Sequence, residues 1–282
     1  MSADAPATPE IGRTIVAAGI RTNYHEQGEG PPVLLIHGSG PGVTAWANWR
    51  LNMPELAKSF RVVAPDMVAF GYTDPPAEAV RDKAVWVDHL LGFMDAMKID
   101  KASFVGNSFG GALTLAFMVA HPDRVDRAVL MGAAGLEFPI TEALDRVWGY
   151  EPSVENMRAA LHFLASDPSR LTEELIRSRY EASARPGAHQ PYAATFGPTP
   201  RQNHIKMLAS REEDVAALPH EVLLLHGKLD QVIPLEVSVR AVNLIRNADL
   251  QVFGNCGHWV QIERAQSFNR IVTHFFKHGL SG

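Results

Sequence analysis

The 282-residue sequence is poor in cysteine and in clustered basic residues, and it lacks long apolar runs. Cys256 is the only cysteine, which excludes an internal disulfide and fits a reducing cytoplasm. The net charge is −5 and no basic run occurs, so neither nucleic acid nor an anionic membrane is an expected partner. No apolar run approaches the ~20 residues that cross a bilayer. Residues 1–9 lack a signal-peptide pattern and are predicted to be a flexible tail.

Short apolar segments alternate with helical patterns along most of the chain. After an edge hairpin around 14–27, strands are predicted at 33–36, 61–64, 102–105, 128–131, 222–225 and 250–253. Helical patterns between them, such as 86–97 and 235–245, predict an α/β fold. Its sheet is expected to be mostly parallel and eight-stranded, with helices on both faces.

The alternation of strands and helices stops between about 138 and 218. This stretch has helical periodicity at 143–148, 154–164 and 173–180, proline-rich joints and no convincing strand. We predict an all-helical lid at 138–218, inserted into a core formed by 10–137 and 219–282. Such a lid would supply the substrate pocket and exclude water.

The sequence Gly-Asn-Ser-Phe-Gly at 106–110 lies between a predicted strand and a predicted helix. A Gly-x-Ser-x-Gly at such a junction holds its serine on a strained turn at the sheet's carboxyl edge. Each flanking glycine avoids a clash between the strand and helix backbones. Ser108 is therefore the candidate nucleophile.

A serine hydroxyl is a weak nucleophile, so a base and an orienting acid are expected downstream. Asp230 follows the predicted strand 222–225, and His258 follows the strand 250–253. The chain order Ser108, Asp230, His258 is typical of the α/β-hydrolase fold. Glu137 is the rival acid. Each residue alone also fits a structural role, as a turn or cap residue.

The run His-Gly-Ser-Gly-Pro-Gly at 37–42 follows another apolar strand and can present bare backbone amides. Amides of Ser39 or Gly40, together with that of Phe109, would stabilise an oxyanion. A dinucleotide-binding loop is the competing hypothesis, but Val43 occupies the last glycine position of that motif.

Several of these segments together resemble the meta-cleavage-product hydrolases, carbon–carbon bond hydrolases of bacterial aromatic-ring degradation. The resemblance covers nearly the whole chain and is carried by HGSGPGVTAWANWR at 37–50, VGNSFGG at 105–111, VWGY at 147–150, RYEAS at 179–183 and CGHW at 256–259. Within that family the sequence is most similar to the 2-hydroxymuconate semialdehyde hydrolases. One departure is Ala69, where relatives commonly carry glycine; a positive φ there would strain the loop.

The resemblance implies cleavage of the C5–C6 bond of 2-hydroxy-6-oxo-hexa-2,4-dienoates, in aromatic hydrocarbon catabolism. The products would be 2-hydroxypenta-2,4-dienoate and a small carboxylic acid. Arg179 would bind the substrate carboxylate, Asn48 and Asn107 the C2 oxygen, and Trp259 the diene. The attacking group would be Ser108 or a water activated by His258. No cofactor is implied, and relatives suggest a homo-oligomer, a dimer or higher.

Other hydrolase classes use the same fold. A carboxylesterase or perhydrolase with the same triad is the main alternative function. Haloalkane dehalogenases and epoxide hydrolases are disfavoured because they carry aspartate where Ser108 stands.

His274 and His278 have a metal-like spacing, but no third ligand is evident, so no metal site is predicted. The C6 substituent that the enzyme accepts depends on the volume of the pocket. Six side chains are expected to set that volume by their packing: Phe138, Ile140, Leu144, Trp148, Phe163 and Met207.

Overall fold

The computed structural model describes residues 8–281, so the first seven residues of the predicted tail lie outside the described range. Eight strands occur: β1 Arg13–Ala17, β2 Ile20–Gln27, β3 Pro32–Ile36, β4 Arg61–Pro65, β5 Ala102–Asn107, β6 Val125–Met131, β7 Glu221–Gly227 and β8 Ala248–Phe253. The helices of the described range are α1 Ala45–Trp49, α2 Met53–Leu56, α3 Ala84–Ala96, α4 Phe109–Ala120, α5 Glu142–Trp148, α6 Val154–Leu164, α7 Glu173–Ala184, α8 His189–Phe196, α9 Gln202–Leu208, α10 Glu212–Ala216, α11 Leu235–Leu244, α12 Val260–Glu263 and α13 Ala265–His278.

All eight strands form one sheet in the order β1-β2-β4-β3-β5-β6-β7-β8. The hairpin strands β1 and β2 pair antiparallel with each other, and β2 pairs antiparallel with β4. The pairs from β4 through β3 to β8 are all parallel. The predicted α/β fold with a mostly parallel eight-stranded sheet is therefore confirmed.

Apolar side chains cover both faces of the sheet, as expected for strands that are buried on two sides. Leu34 and Phe104 belong to the layer that packs under α3 and α4. Val33 and Val105 point the other way, into the layer formed with α1 and α13. The loops that contain the predicted site residues follow the carboxyl ends of the parallel strands, where ligands bind in sheets of this kind.

Six helices, α5 to α10, separate β6 from β7, and residues 138–218 contain no strand. Side-chain caps fix three of the helix starts: Thr141, Ser153 and Thr172 each accept a bond from a backbone amide in the first turn. The bounds 138–218 for a separate lid, and 10–137 with 219–282 for the core, stay predictions. Within the described part of the chain, no helix has the length and apolar character needed to span a membrane.

Candidate active site

Ser108 occupies the strained turn that its sequence predicts. It lies between β5 and α4 with φ of 56° and ψ of −114°, a conformation that side-chain-bearing residues rarely adopt. Its amide donates to the Met131 carbonyl at 2.8 Å, which ties the turn to β6. A Cβ at Gly106 would lie 2.4 Å from the Gly110 carbonyl oxygen, and one at Gly110 would lie 2.2 Å from that of Ile36. Both glycines are therefore required by close backbone approach.

Asp230 and His258 form a buried, hydrogen-bonded pair at the ends of β7 and β8. His258 Nδ1 lies 2.7 Å from Asp230 Oδ2. The other carboxylate oxygen accepts from the amides of Val232 and Ile233 at 2.8 and 3.0 Å. Burial opposes ionisation, but His258, His226 and the Ile233 amide outweigh it and hold the pKa of Asp230 below its usual value. The carboxylate is thus fixed to orient the imidazole.

Ser108 and His258 line the same cavity, which brings the three predicted triad residues to one place. Within residues 8–281 the Ser108 hydroxyl makes no hydrogen bond, either to His258 or to another group. Such bonds are often long in ligand-free sites and tighten when substrate binds. The His258 amide donates to the Leu164 carbonyl at 3.1 Å, which connects the histidine loop to the end of α6.

The three residues predicted to form the oxyanion hole lie on two sides of Ser108. Ser39 and Gly40 line the cavity beside Ser108, and Phe109 begins α4 directly after it. None of these three amides donates to another group of the described chain. The Ser39 hydroxyl accepts from Trp148 Nε1 at 2.9 Å, which fixes the loop against α5. The arrangement leaves backbone donors free near the Ser108 hydroxyl, as an oxyanion requires.

Two asparagine amides in the cavity wall have no hydrogen-bond partner. Asn48 and Asn107 both line the cavity, and the Nδ2 atom of each is buried and unpaired. A buried unpaired donor costs about 1–3 kcal/mol. Both amides are therefore free to donate to a polar group of a ligand in the cavity.

Arg179 and Trp259 also line the cavity, so all four predicted substrate contacts lie around it. The Arg179 guanidinium is already engaged, however. Its Nη2 is ion-paired with Glu10, and its Nη1 donates to the Gly42 carbonyl at 3.2 Å. These bonds limit the fork that Arg179 can offer to a substrate carboxylate.

The far part of the cavity is apolar. Its wall includes Leu144, Val147, Leu161, Leu164 and Val232. Of the six side chains expected to set the pocket volume, only Leu144 is on the wall. The other five pack in or against the main apolar core instead: Phe138 and Ile140 from the segment before α5, and Trp148, Phe163 and Met207 from α5, α6 and α9.

Two residues around the site were not anticipated from the sequence. Gly132, directly after β6, has φ of +49°, and a Cβ there would lie 3.1 Å from Asp230 Oδ2 and 3.2 Å from His258 Nδ1. Arg50, at the end of α1, lines the cavity with Arg179. The available sequence signal for Gly132 was a glycine at the end of a predicted strand. The signal for Arg50 was its position as the last residue of the run HGSGPGVTAWANWR.

The alternative chemical groups lie outside the site. Glu137, the rival acid, is exposed and lies 4.0 Å from Lys206 Nζ. Burial raises the pKa of the Cys256 thiol to about 12, so this thiol is a passive packing group. No cluster of three metal-ligating side chains occurs among residues 8–281, and the rings of His274 and His278 lie tilted at 44° with centroids 4.8 Å apart.

Comparison with known proteins identifies a family of hydrolases. Residues 31–265 match the model of the alpha/beta hydrolase fold family. A 2-hydroxymuconate semialdehyde hydrolase of Pseudomonas sp. strain CF600 is 57% identical over 268 residues, covering 95% of this chain and 94% of its own. A 2-hydroxy-6-oxo-2,4-heptadienoate hydrolase of Pseudomonas putida is 54% identical over 266 residues, covering 94% and 96%.

A solved structure gives the same result for the fold. It is a serine-to-alanine mutant of the meta-cleavage product hydrolase CumD from Pseudomonas fluorescens IP01, complexed with acetates. This structure superposes with a TM-score of 0.93 at 56% identity and covers 95% of this chain and 98% of its own.

Proposed function

The chain belongs to the meta-cleavage product hydrolases of the α/β-hydrolase family, and from that membership we propose that it cleaves the C5–C6 bond of 2-hydroxy-6-oxo-hexa-2,4-dienoates. It is a serine-type hydrolase that acts on a carbon–carbon bond. The observation that carries the substrate class is the pair of buried, unpartnered amides of Asn48 and Asn107 beside Ser108. A simple ester lacks the C2 oxygen that these two donors would bind.

The first step is a proton transfer, because the C5–C6 bond of the dienol has no electron sink. His258 takes the proton of the 2-hydroxyl group and delivers it to C5, which gives the 2-oxo tautomer and leaves His258 neutral for the next step. The Asp230 carboxylate supports this step, since it stabilises the imidazolium that forms 2.7 Å away. The Asn48 and Asn107 amides hold the C2 oxygen as its charge changes.

Ser108 then attacks the C6 carbonyl, and its proton passes to His258. The amides of Ser39 or Gly40 and of Phe109 hold the oxyanion; each such donor contributes about 3 kcal/mol to rate in well-studied hydrolases. Collapse breaks the C5–C6 bond, with the electron pair of that bond delocalised to the C2 oxygen, and releases 2-hydroxypenta-2,4-dienoate. Water finally hydrolyses the acyl-serine to a carboxylic acid.

We propose a small C6 substituent. Branched side chains such as Leu144, Leu161 and Val232 close the apolar part of the cavity. The two relatives above are named for a semialdehyde and for a heptadienoate, whose C6 groups are hydrogen and methyl. The acid released would accordingly be formate or acetate.

The test follows the loss of dienolate absorbance with 2-hydroxymuconate semialdehyde, its 6-methyl analogue and its 6-phenyl analogue, with Ser108→Ala as control. We expect rapid loss that needs Ser108 and is fastest for the two small substituents. Cleavage of p-nitrophenyl acetate without loss of any dienoate would instead identify an esterase. Denaturing mass spectrometry during turnover should detect the acyl adduct on Ser108; its absence would favour a water activated by His258.

We further propose that the enzyme works in the cytoplasm as a homo-oligomer. The single cysteine supports a reducing compartment. The exposed backbone edges of β1 and β8, each paired on one side only, support association between copies. Light scattering coupled to gel filtration tests the assembly, and a monomer mass would contradict it.

A further inference from the structure

The charges on the wall of the catalytic cavity are all of one sign. Arg50 and Arg179 both line it, together with Ser108 and His258. Among the described residues, that wall contains no aspartate or glutamate. The same cavity is therefore lined by two guanidinium groups, which stay charged at any physiological pH.

Arg50 has few bonds of its own. It is half-buried at the end of α1, and its Nη1 donates to the Ala47 carbonyl. It forms no ion pair within residues 8–281. Burial lowers the pKa of Arg50, the positive charge of Arg179 lowers it further, and Glu10 partly opposes both effects. A half-buried cation beside a second cation is favoured by a bound anion.

Glu10 cannot be that anion for both arginines. Its carboxylate is buried against Arg179, with side-chain exposures of 8% and 16% for the two partners. It borders the neighbouring surface groove and is absent from the wall of the catalytic cavity. Glu174 and Glu181 likewise border that groove and not the cavity wall, so on the wall itself the two arginines have no acidic neighbour.

We propose that Arg50 is a second carboxylate-binding residue of the active site. It supplies a free guanidinium edge, which Arg179 lacks because its own Nη atoms are already hydrogen-bonded. Arg179 uses Nη2 for Glu10 and Nη1 for the Gly42 carbonyl. Arg50 uses only Nη1, which leaves its Nε and Nη2 edge available for bidentate contact with a carboxylate. The proposal rests on the proposed dienoate substrate and extends it by this residue.

The test uses sorbate, hexa-2,4-dienoate, as a stable carboxylate that lacks the reacting ketone. Its inhibition constant against p-nitrophenyl acetate hydrolysis is measured for wild type, Arg50→Gln, Arg50→Lys and Arg179→Gln. We expect Arg50→Gln to raise the sorbate constant about tenfold or more, as loss of a charge-assisted hydrogen bond does. The change in the KM for the neutral ester should be several-fold smaller than the change in the sorbate constant.

Two controls isolate the charge contact. Sorbyl alcohol, the uncharged analogue, should bind equally weakly to wild type and Arg50→Gln. Arg146→Gln removes an arginine of α5 whose side chain is 62% exposed and lies off the cavity wall, and it should leave the sorbate constant unchanged. The Arg50→Lys variant keeps the charge without the fork and should recover binding only in part.

An unchanged sorbate constant in Arg50→Gln would overturn the proposal, as would an equal loss of ester and sorbate binding. If the Gln variant unfolds, Arg50→Lys decides, because an unchanged constant there contradicts the fork. The outcome is separate from that of the proposed function. A wild-type enzyme that cleaves no dienoate, but binds sorbate through Arg50, would refute the function and keep the carboxylate site.

Discussion

The alanine variant of Gly132 tests whether the Asp230–His258 pair is the working base. Gly132 follows β6 with φ of +49°, and its Cα faces the bond between the two side chains. A methyl group there would lie 3.1 Å from Asp230 Oδ2 and 3.2 and 3.3 Å from His258 Nδ1 and Cε1. Those separations are a few tenths of an ångström shorter than ordinary van der Waals contact, so the carboxylate or the imidazole must move.

The cost to stability and the cost to catalysis differ in size. An alanine in the left-handed region costs about 1–2 kcal/mol, and lower entropy of the unfolded chain returns about 0.4–1 kcal/mol. The free energy of unfolding should therefore fall by at most about 1.6 kcal/mol, equivalent to no more than about 3–6 °C in Tm. A displacement of ~1 Å in an active site can cost about a hundredfold in rate, so a few tenths should cost about tenfold.

The assay compares kcat/KM on the dienoate and on p-nitrophenyl acetate, since both reactions need the base. Gly19→Ala is the matched control, because Gly19 has φ of +80° and no atom within 4 Å of its added Cβ. It should lose stability like Gly132→Ala and keep full activity. A Gly132→Ala enzyme with wild-type kcat/KM would refute the assignment of Asp230 and His258 as the orienting pair.

Three further predictions concern residues around the site. Burial lowers the pKa of His37 to about 4 from its usual 6.5, so the unfolded state binds more protons between those values, and stability falls as pH drops through that window. The full loss is about 3 kcal/mol, and urea titrations of His37→Gln should show a weaker pH dependence there. Asn48→Ala should lower dienoate kcat/KM about tenfold without lowering Tm, because it removes a buried unpaired donor; a destabilised variant would show that this amide is bonded in the protein. Ala69→Gly should leave Tm nearly unchanged. The backbone strain of Ala69, whose φ is 74°, would be relieved by about 1–2 kcal/mol. That gain is offset by the loss of a buried methyl group, ~0.8 kcal/mol, and by the greater entropy of the unfolded glycine chain. The exposed Ala18, with φ of 48°, lacks the methyl term, so Ala18→Gly should raise Tm; equal changes in the two variants would contradict this.

Local chemistry made the framework predictable from the sequence. Apolar runs and their flanking glycines located each parallel strand within a few residues, because a strand buried on both faces has an almost continuous apolar sequence. The helix at 154–164 was predicted with the bounds observed for α6, Val154–Leu164. The positive φ suspected at Ala69 is present. These features depend on neighbours in the chain.

Features that depend on distant residues were not predictable. Helices α8, α9 and α10 have weaker periodicity and are held by contacts such as that of Tyr192 with the Val147 carbonyl at 2.7 Å. The Glu10–Arg179 pair joins positions 169 residues apart, and no local pattern indicates it. The wall-lining side chains of the insertion also depend on how its helices rotate against one another. Sequence patterns therefore locate the reacting groups better than the groups that select the substrate.

The helices between β6 and β7 are joined by direct bonds to the loop of His258. The Leu164 carbonyl accepts from the His258 amide at 3.1 Å. The Glu263 carboxylate bridges the two segments, since it accepts from the Gly257 amide at 3.0 Å and from the Ser166 amide at 3.1 Å. Gly257 allows this approach, because a Cβ there would lie 2.7 Å from the Ser166 nitrogen. The end of α6 thus holds the loop that carries the base, so any movement of this part of the insertion during substrate binding is coupled to the position of His258.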